Sequence, residues 1–222
     1  MSTSQRPVPL GKGRSLAPGV TCLERIAGII LAAGESARMG ADKALLKWGD
    51  TTFLEHLRMT LKNAGLGLVR VVLGANAEGV LKQIRLPPVE VVLNRQWHQG
   101  MLTSVVAGLD SLPRGLVDAA LVCLVDHPCV SSALIRTLVE KFHTSGKPIV
   151  LPTYQGRRGH PALFAAKLFD ELRAAPLAVG ARHVVRQHPG DVLEVPTEEE
   201  GVLLNTNNRE DYERILRLRP PD

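Results

Sequence analysis

The sequence predicts an α/β protein built on a mostly parallel sheet. Two observations carry this. Runs such as Ile26–Leu31 and Ala119–Val125 contain no polar side chain but a cysteine, as strands covered on both faces require. Between them lie segments whose apolar residues recur at helical spacing, which is the rhythm of βαβ units. With 222 residues the chain can bury one core without disulfides or a structural metal.

The elements follow in order. Ile26–Leu31 reads as the first strand. Thr52–Asn63 reads as a helix with Phe53, Leu54, Leu57 and Leu61 on one face. Leu68–Leu73 and Val89–Leu93 are the next strands, the second entered through Pro87-Pro88. Leu102–Leu112 is a helix and Ala119–Val125 a strand. Ser131–Phe142 is a helix whose start is marked by Pro128 and capped by Ser131 or Ser132. Pro148–Leu151 is a further strand. The segment Thr153–Phe164, rich in Gly, Arg and Pro, reads as a hairpin or a substrate loop. Helical segments near Ala165–Arg173 and Gly180–Gln187, a strand at Val192–Val195 and a helix at Arg209–Leu218 complete the chain. Pro220 and Pro221 end that helix because neither can donate to it. Residues 1–24 read as a disordered tail and 25–218 as one domain. Its first half is 25–151, and 152–218 supply a subsite.

Composition narrows the function. The net charge is +5, but Arg6, Lys12, Arg14 and Arg25 against Glu24 place +3 of it in the first 25 residues. Aromatic residues make up only 4%, so no basic surface with stacking rings for nucleic acid is expected. No apolar run is long enough to span a bilayer, and no secretory signal is read at the start. Cys22, Cys123 and Cys129 cannot pair completely and form no Cys-x-x-Cys motif, which fits a reducing cytoplasm.

The first strand runs into Leu31-Ala32-Ala33-Gly34-Glu35-Ser36-Ala37-Arg38-Met39-Gly40-Ala41-Asp42-Lys43. Small residues there let the backbone turn tightly, and exposed N–H groups at a strand tip favour an anion. Arg38 and Lys43 add two cations. In an open α/β sheet, ligands bind outside the carboxyl ends of the strands, so the loop suits a polyphosphate. It matches neither the P-loop nor the dinucleotide Gly-x-Gly-x-x-Gly spacing. Alone, it also fits an ordinary Gly-rich turn with surface charges. The fourth long apolar strand ends in Asp126-His127-Pro128, on the same sheet edge. A carboxylate there can hold Mg²⁺ when phosphates supply the other ligands.

These residues resemble a known family. Leu31–Lys43 is similar to the Leu-Ala-Ala-Gly-x-Ser-x-Arg-Met-Gly-x-x-Lys signature of nucleotidyltransferases with a Rossmann-like, glycosyltransferase-A-type three-layer fold. Asn94–Ser104 resembles the family's Asn-x-x-Trp-x-x-Gly-Met-x-x-Ser segment. Asp126-His127-Pro128 resembles its Asp-Gln-Pro, and Arg158-Gly159-His160-Pro161 its Arg-Gly-His-Pro. Gly180-Ala181-Arg182 and Asn205–Tyr212 resemble its tail. The group most like this chain is the molybdenum cofactor cytidylyltransferases and guanylyltransferases.

The resemblance implies transfer of a nucleoside monophosphate from an NTP to a phosphorylated acceptor, with pyrophosphate released. It implies Mg²⁺ as cofactor, a molybdopterin-type acceptor and a molybdoenzyme as client. Leu31, Ala32, Ala33 and Gly34 would hold the nucleotide through the backbone, with Asn94, Gly100 and Ser104 near base and ribose. Arg38 and Lys43 would bind the triphosphate, Asp126 the metal, and Arg158 and His160 the acceptor. Ala33 stands where guanylyltransferases usually have Gly, which favours CTP, whereas Asp42-Lys43-Ala44-Leu45 resembles the guanylyl side.

The chain also departs from the family. Ala178 replaces an Asp, and Asn205-Thr206-Asn207 replaces Asp-x-Asp. Asn207 can still offer a carbonyl oxygen to Mg²⁺. These departures leave open GTP as donor, a sugar or alcohol phosphate as acceptor, or a non-catalytic accessory role. Cys123, His127 and Cys129 lack a fourth ligand and the usual spacing for zinc. Cys123 reads as core and Trp97 as packing beside the pocket. Glu198–Glu200 reads as a solvated turn.

Overall fold

The computed structural model describes residues 22–35 and 41–218. Most of the expected tail, and Arg38 with it, lie outside the described residues. A 3-10 turn over Cys22–Arg25 leads into β1 (Ile26–Ala32), which is buried at every position. A second 3-10 turn, Lys43–Leu45, precedes the short hairpin of β2 (Lys47–Trp48) and β3 (Thr51–Thr52). Helix α1 (Phe53–Asn63) starts in a capping box, in which Thr52 and Glu55 exchange side-chain and backbone hydrogen bonds. Then come β4 (Leu68–Leu73), α2 (Ala77–Gln83), β5 (Val91–Leu93) and α3 (Met101–Asp110). β6 (Ala119–Leu124) leads to α4 (Ser132–Ser145), capped by Ser131, whose hydroxyl accepts from Leu134 N at 3.0 Å. The chain continues through β7 (Ile149–Tyr154), β8 (Arg157–Arg158) and β9 (Ala162–Ala165). It ends with α5 (Phe169–Ala174), α6 (Arg182–Gln187), β10 (Val192–Pro196) and α7 (Arg209–Leu216).

One sheet runs in the order β10-β7-β9-β6-β1-β4-β5, with β8 paired to β7. β1 is parallel to both β4 and β6, β4 to β5, and β10 to β7. β9 is antiparallel to β6 and to β7, so both halves of the chain share the sheet. Helices cover both faces. On one, Phe53, Leu57 and Leu61 of α1 and Leu134 and Leu138 of α4 pack on Ile26, Ile30 and Leu121. On the other, Leu102, Val105 and Leu109 of α3 and Leu172 of α5 pack on Ile29, Val72 and Ala120. The three-layer α/β expectation therefore holds, with a mostly parallel sheet.

Three local expectations differ, and one helix, α2, is not among those expected. The segment Thr153–Phe164, expected as a hairpin or a substrate loop, holds the turn between β7 and β8, and Ala162-Leu163-Phe164-Ala165 at its end form an interior strand, buried throughout. Helix α2 has only one buried residue, Val80, so it leaves little apolar period to read. The strand expected from Val89 begins at Val91, because Pro88–Glu90 form a 3-10 turn. That turn is held by Glu90, whose carboxylate takes Arg58 Nε at 2.5 Å and Lys62 Nζ at 2.7 Å from α1. The helix expected from Ala165 is a 3-10 turn over Ala166–Leu168 that passes into α5.

Candidate active site

The carboxyl ends of β1, β4 and β6 meet at one edge of the sheet. The Leu31 carbonyl accepts from Val125 N at 3.1 Å, and the Ala33 carbonyl from Ala75 N at 3.1 Å. Gly74 is pressed so close to Ala33 and Trp97 that a Cβ there would lie 2.6 Å from the Ala33 carbonyl oxygen. These contacts draw the loop after β1 down between its neighbours. Above them lies a cavity of about 330 Å³. Leu31, Ala32, Ala33 and Gly34 form its floor, and Lys43, Asp126 and Asn207 one wall. Ser104 faces it from α3, beside Trp97 and Met101.

Charge is organised around Lys43. Its Nζ lies 2.8 Å from Asp126 Oδ2 and 3.1 Å from Asn207 Oδ1. The lysine and aspartate side chains are 17% and 23% exposed, so the pair is screened from much of the solvent. Asp126 leaves the tip of β6, and Asn207 comes from the loop before α7. That loop is anchored by the Thr206 N–H donating to the Asp126 carbonyl at 3.0 Å. Two oxygen ligands thus converge on one cationic group. Their hard-donor chemistry fits Mg²⁺, which keeps waters and phosphate oxygens for its remaining positions. Among the described residues, no group of three or more His, Cys, Asp or Glu could hold a metal ion. Burial pushes the Cys123 and Cys129 thiols up to about 12, which leaves them as protonated core residues.

Several anticipated residues sit elsewhere. Asn94 does not line the cavity. It is buried and works as a hub, donating to Thr103 Oγ1 and Ser104 Oγ and accepting from Gln96 N, all at 2.9 Å. Gly100 starts α3 with φ +116°, a left-handed conformation that favours glycine, and it too lies off the cavity. Arg158 is exposed on β8 and pairs with Glu194 at 2.7 Å. It pairs with the carboxyl end of β7 and does not line the cavity. His160 packs behind Asp126 against His127, with ring centroids 5.0 Å apart. Burial, with the neighbouring His127, pushes His160 down to about 4 against the pull of Asp126. Burial likewise lowers His127, opposed by Asp126 and by a hydrogen bond to the Val202 backbone. The Nδ1 atoms of both rings are buried without a partner among the described residues. Glu199 is no solvated turn residue. Its carboxylate takes Ser131 N at 3.0 Å and the Ser131 hydroxyl at 2.5 Å, clamping the start of α4.

Sequence reasoning gave no site role to Asp42 and Met101, which line the cavity. Trp97 lines it as well, in the packing position expected. Asp42 precedes Lys43 directly, and Met101 lies inside the Asn94–Ser104 segment. Their signal was therefore present in the motifs.

A polyphosphate-sized cavity with a lysine–aspartate pair, at the carboxyl edge of this sheet, defines an α/β protein of the NTP-transferring kind. The chain belongs to the family described as the MobA-like NTP transferase domain, whose model matches residues 28–192. It is 33% identical to nicotine blue oxidoreductase of Paenarthrobacter nicotinovorans over 85% of this chain and 96% of that protein. It is 30% identical to a Mycobacterium ulcerans protein named "Probable molybdenum cofactor guanylyltransferase", over 86% of this chain and 94% of that one. The crystal structure of Rv0371c from Mycobacterium tuberculosis H37Rv superimposes with a TM-score of 0.76 at 26% identity, covering 87% of this chain and 99% of that one. A complex of Rv0371c with manganese gives 0.70. No helix among the described residues is long and apolar enough to cross a membrane.

Proposed function

We propose that this protein moves a nucleoside monophosphate from an NTP onto the phosphate of a molybdopterin-type acceptor, with GTP as the donor. The observation that carries this is the convergence of Lys43, Asp126 and Asn207 at the mouth of the Ala33–Gly34 loop. Relatives named guanylyltransferases, together with Asp42-Lys43, outweigh Ala33 as a sign of CTP.

In the reaction, an oxygen of the acceptor phosphate attacks the α-phosphorus. The bond from that phosphorus to the bridging oxygen breaks, and pyrophosphate leaves with the electron pair. The nucleophile is already anionic at neutral pH, so no general base is required. Lys43 and Arg38 hold the triphosphate and balance the charge that builds on the leaving group. Asp126, with Asn207, would hold Mg²⁺, which neutralises phosphate charge when bound. Ser104 meets the base or ribose. Buried His160 shapes the acceptor side from behind Asp126. Alignment and charge stabilisation do most of the work.

A second reading has specific support in the relative named an oxidoreductase. Under it, the same cavity serves an oxidation–reduction, for which NADPH is a suitable electron-donor probe. Calorimetric titration with GTP, CTP and NADPH, with and without Mg²⁺, separates the two. Mg²⁺-dependent GTP binding, followed by acceptor-dependent pyrophosphate release, supports transfer. CTP preference corrects the donor, and NADPH binding alone replaces the transferase reading.

A further inference from the structure

Lys43 reaches the cavity from a 3-10 turn, and Asp42 fixes that turn. Asp42 Oδ1 accepts from Ala44 N, and its carbonyl from Leu45 N, each at 2.9 Å. The remaining carboxylate oxygen, Oδ2, accepts from Asn76 Nδ2 at 2.9 Å. Asn76 lies between β4 and α2, 34 residues away in sequence, and does not line the cavity. Its amide folds over Gly79 in α2, where a Cβ would collide with Asn76 Oδ1. Glycine inside a helix costs roughly 1 kcal/mol relative to alanine, so its place here needs a reason. Room for the Asn76 amide supplies one.

We propose that Asn76 is a positioning residue for Lys43, acting through Asp42. A lysine ammonium rides on a long flexible stem, and its aim depends on the backbone that carries it. Asn76 ties that backbone to the framework of β4 and α2. Gly79 leaves the space for the tie, and Asp42 converts it into a capped turn. The consequence for turnover rests on the nucleotidyltransferase reading, whereas the consequence for Lys43 placement does not.

A polarity swap tests this. N76D sets two carboxylates against each other, whereas in D42N the Asn76 amide can turn its oxygen toward the new amide donor, so N76D is the disruptive single and D42N the mild one. The double variant D42N/N76D restores one donor facing one acceptor, and the amide oxygen it introduces at position 42 can still cap Ala44. The first readout is the rate at which an amine-reactive reagent modifies Lys43 in the ligand-free protein, followed by mass spectrometry. N76D should raise that rate about tenfold, and adding D42N should return it to within about threefold of wild type. The second readout is the KM for NTP, which should rise in N76D more than kcat falls. An N76D variant that leaves Lys43 reactivity unchanged, or a swap that fails to restore it, overturns the proposal. If the footprint behaves as expected but wild type takes no NTP, the tie stands and the transferase reading falls. If NTP turns over and N76D alters neither footprint nor KM, the tie falls and the transferase reading stands.

Discussion

Lys43 and Asp126 are 83 residues apart in sequence, yet their Nζ and Oδ2 atoms lie 2.8 Å apart in the cavity wall. Replacing the lysine removes the positive partner from a partly buried carboxylate and, under the proposed transfer, from the triphosphate. Lys43→Ala should therefore cost about 2–4 kcal/mol of transition-state stabilisation, comparable to losing one preorganised donor. Pyrophosphate release under saturating NTP measures it. Unchanged turnover would remove Lys43 from the chemistry.

Asn94 makes three hydrogen bonds at 2.9 Å from a buried position. Asn94→Ala should lower stability by about 1–3 kcal/mol, because Ser104 and Gln96 N lose a buried partner. It should also weaken nucleotide binding through Ser104. Denaturant titration and calorimetry on the same variant check both, and a change in stability alone would confine Asn94 to the fold.

His56 sits in the α1 interface against Trp48, with ring centroids 4.8 Å apart, and burial pushes it down to about 4. Its ordinary value is about 6.5, so the unfolded chain takes up the proton first as pH falls. The stability tied to neutral His56 is fully present above about pH 6.5 and is lost progressively down to about pH 4, roughly 3 kcal/mol in all. Urea midpoints of wild type and His56→Leu between those pH values should diverge, with the variant losing less. Parallel curves would show that His56 carries none of the acid sensitivity.

Gly201 packs on the Cys129 carbonyl so closely that a Cβ has no room, and the nearest atom it would meet, the carbonyl oxygen, is backbone. Gly201→Ala should cost at least about 2 kcal/mol, a drop of roughly 4–8 °C in Tm. A thermal melt that matched wild type would show that the 200–207 segment can move away from the start of α4.

The parts of the site at strand tips were legible in sequence. Leu31–Gly34 and Asp126 lie at the ends of apolar runs, and topology alone brings such tips to one edge, whereas Lys43 reaches it from the 3-10 turn after the loop. Arg158 and His160 were not legible in the same way. Their motif fixes neighbours along the chain, but not the side from which each residue leaves the strand. Here one faces Glu194 at the surface and the other the interior behind Asp126. β9 was hidden by the Gly, Arg and Pro around it, although its own four residues are wholly apolar. The Asp42–Asn76 contact left no trace in spacing, because a long-range hydrogen bond between two common polar residues has no periodic signature.

The cavity wall joins residues 43, 126 and 207, which are drawn from near both ends of the described chain and from its middle, separated by up to 164 positions. No fragment that lacks any one of these three segments can therefore reproduce the wall. Any ligand that engages all three recognises only the fully folded chain, and its binding energy is added to the global unfolding free energy. Saturating nucleotide should slow proteolysis at sites throughout the domain together, so that a distant nick reports on an occupied pocket.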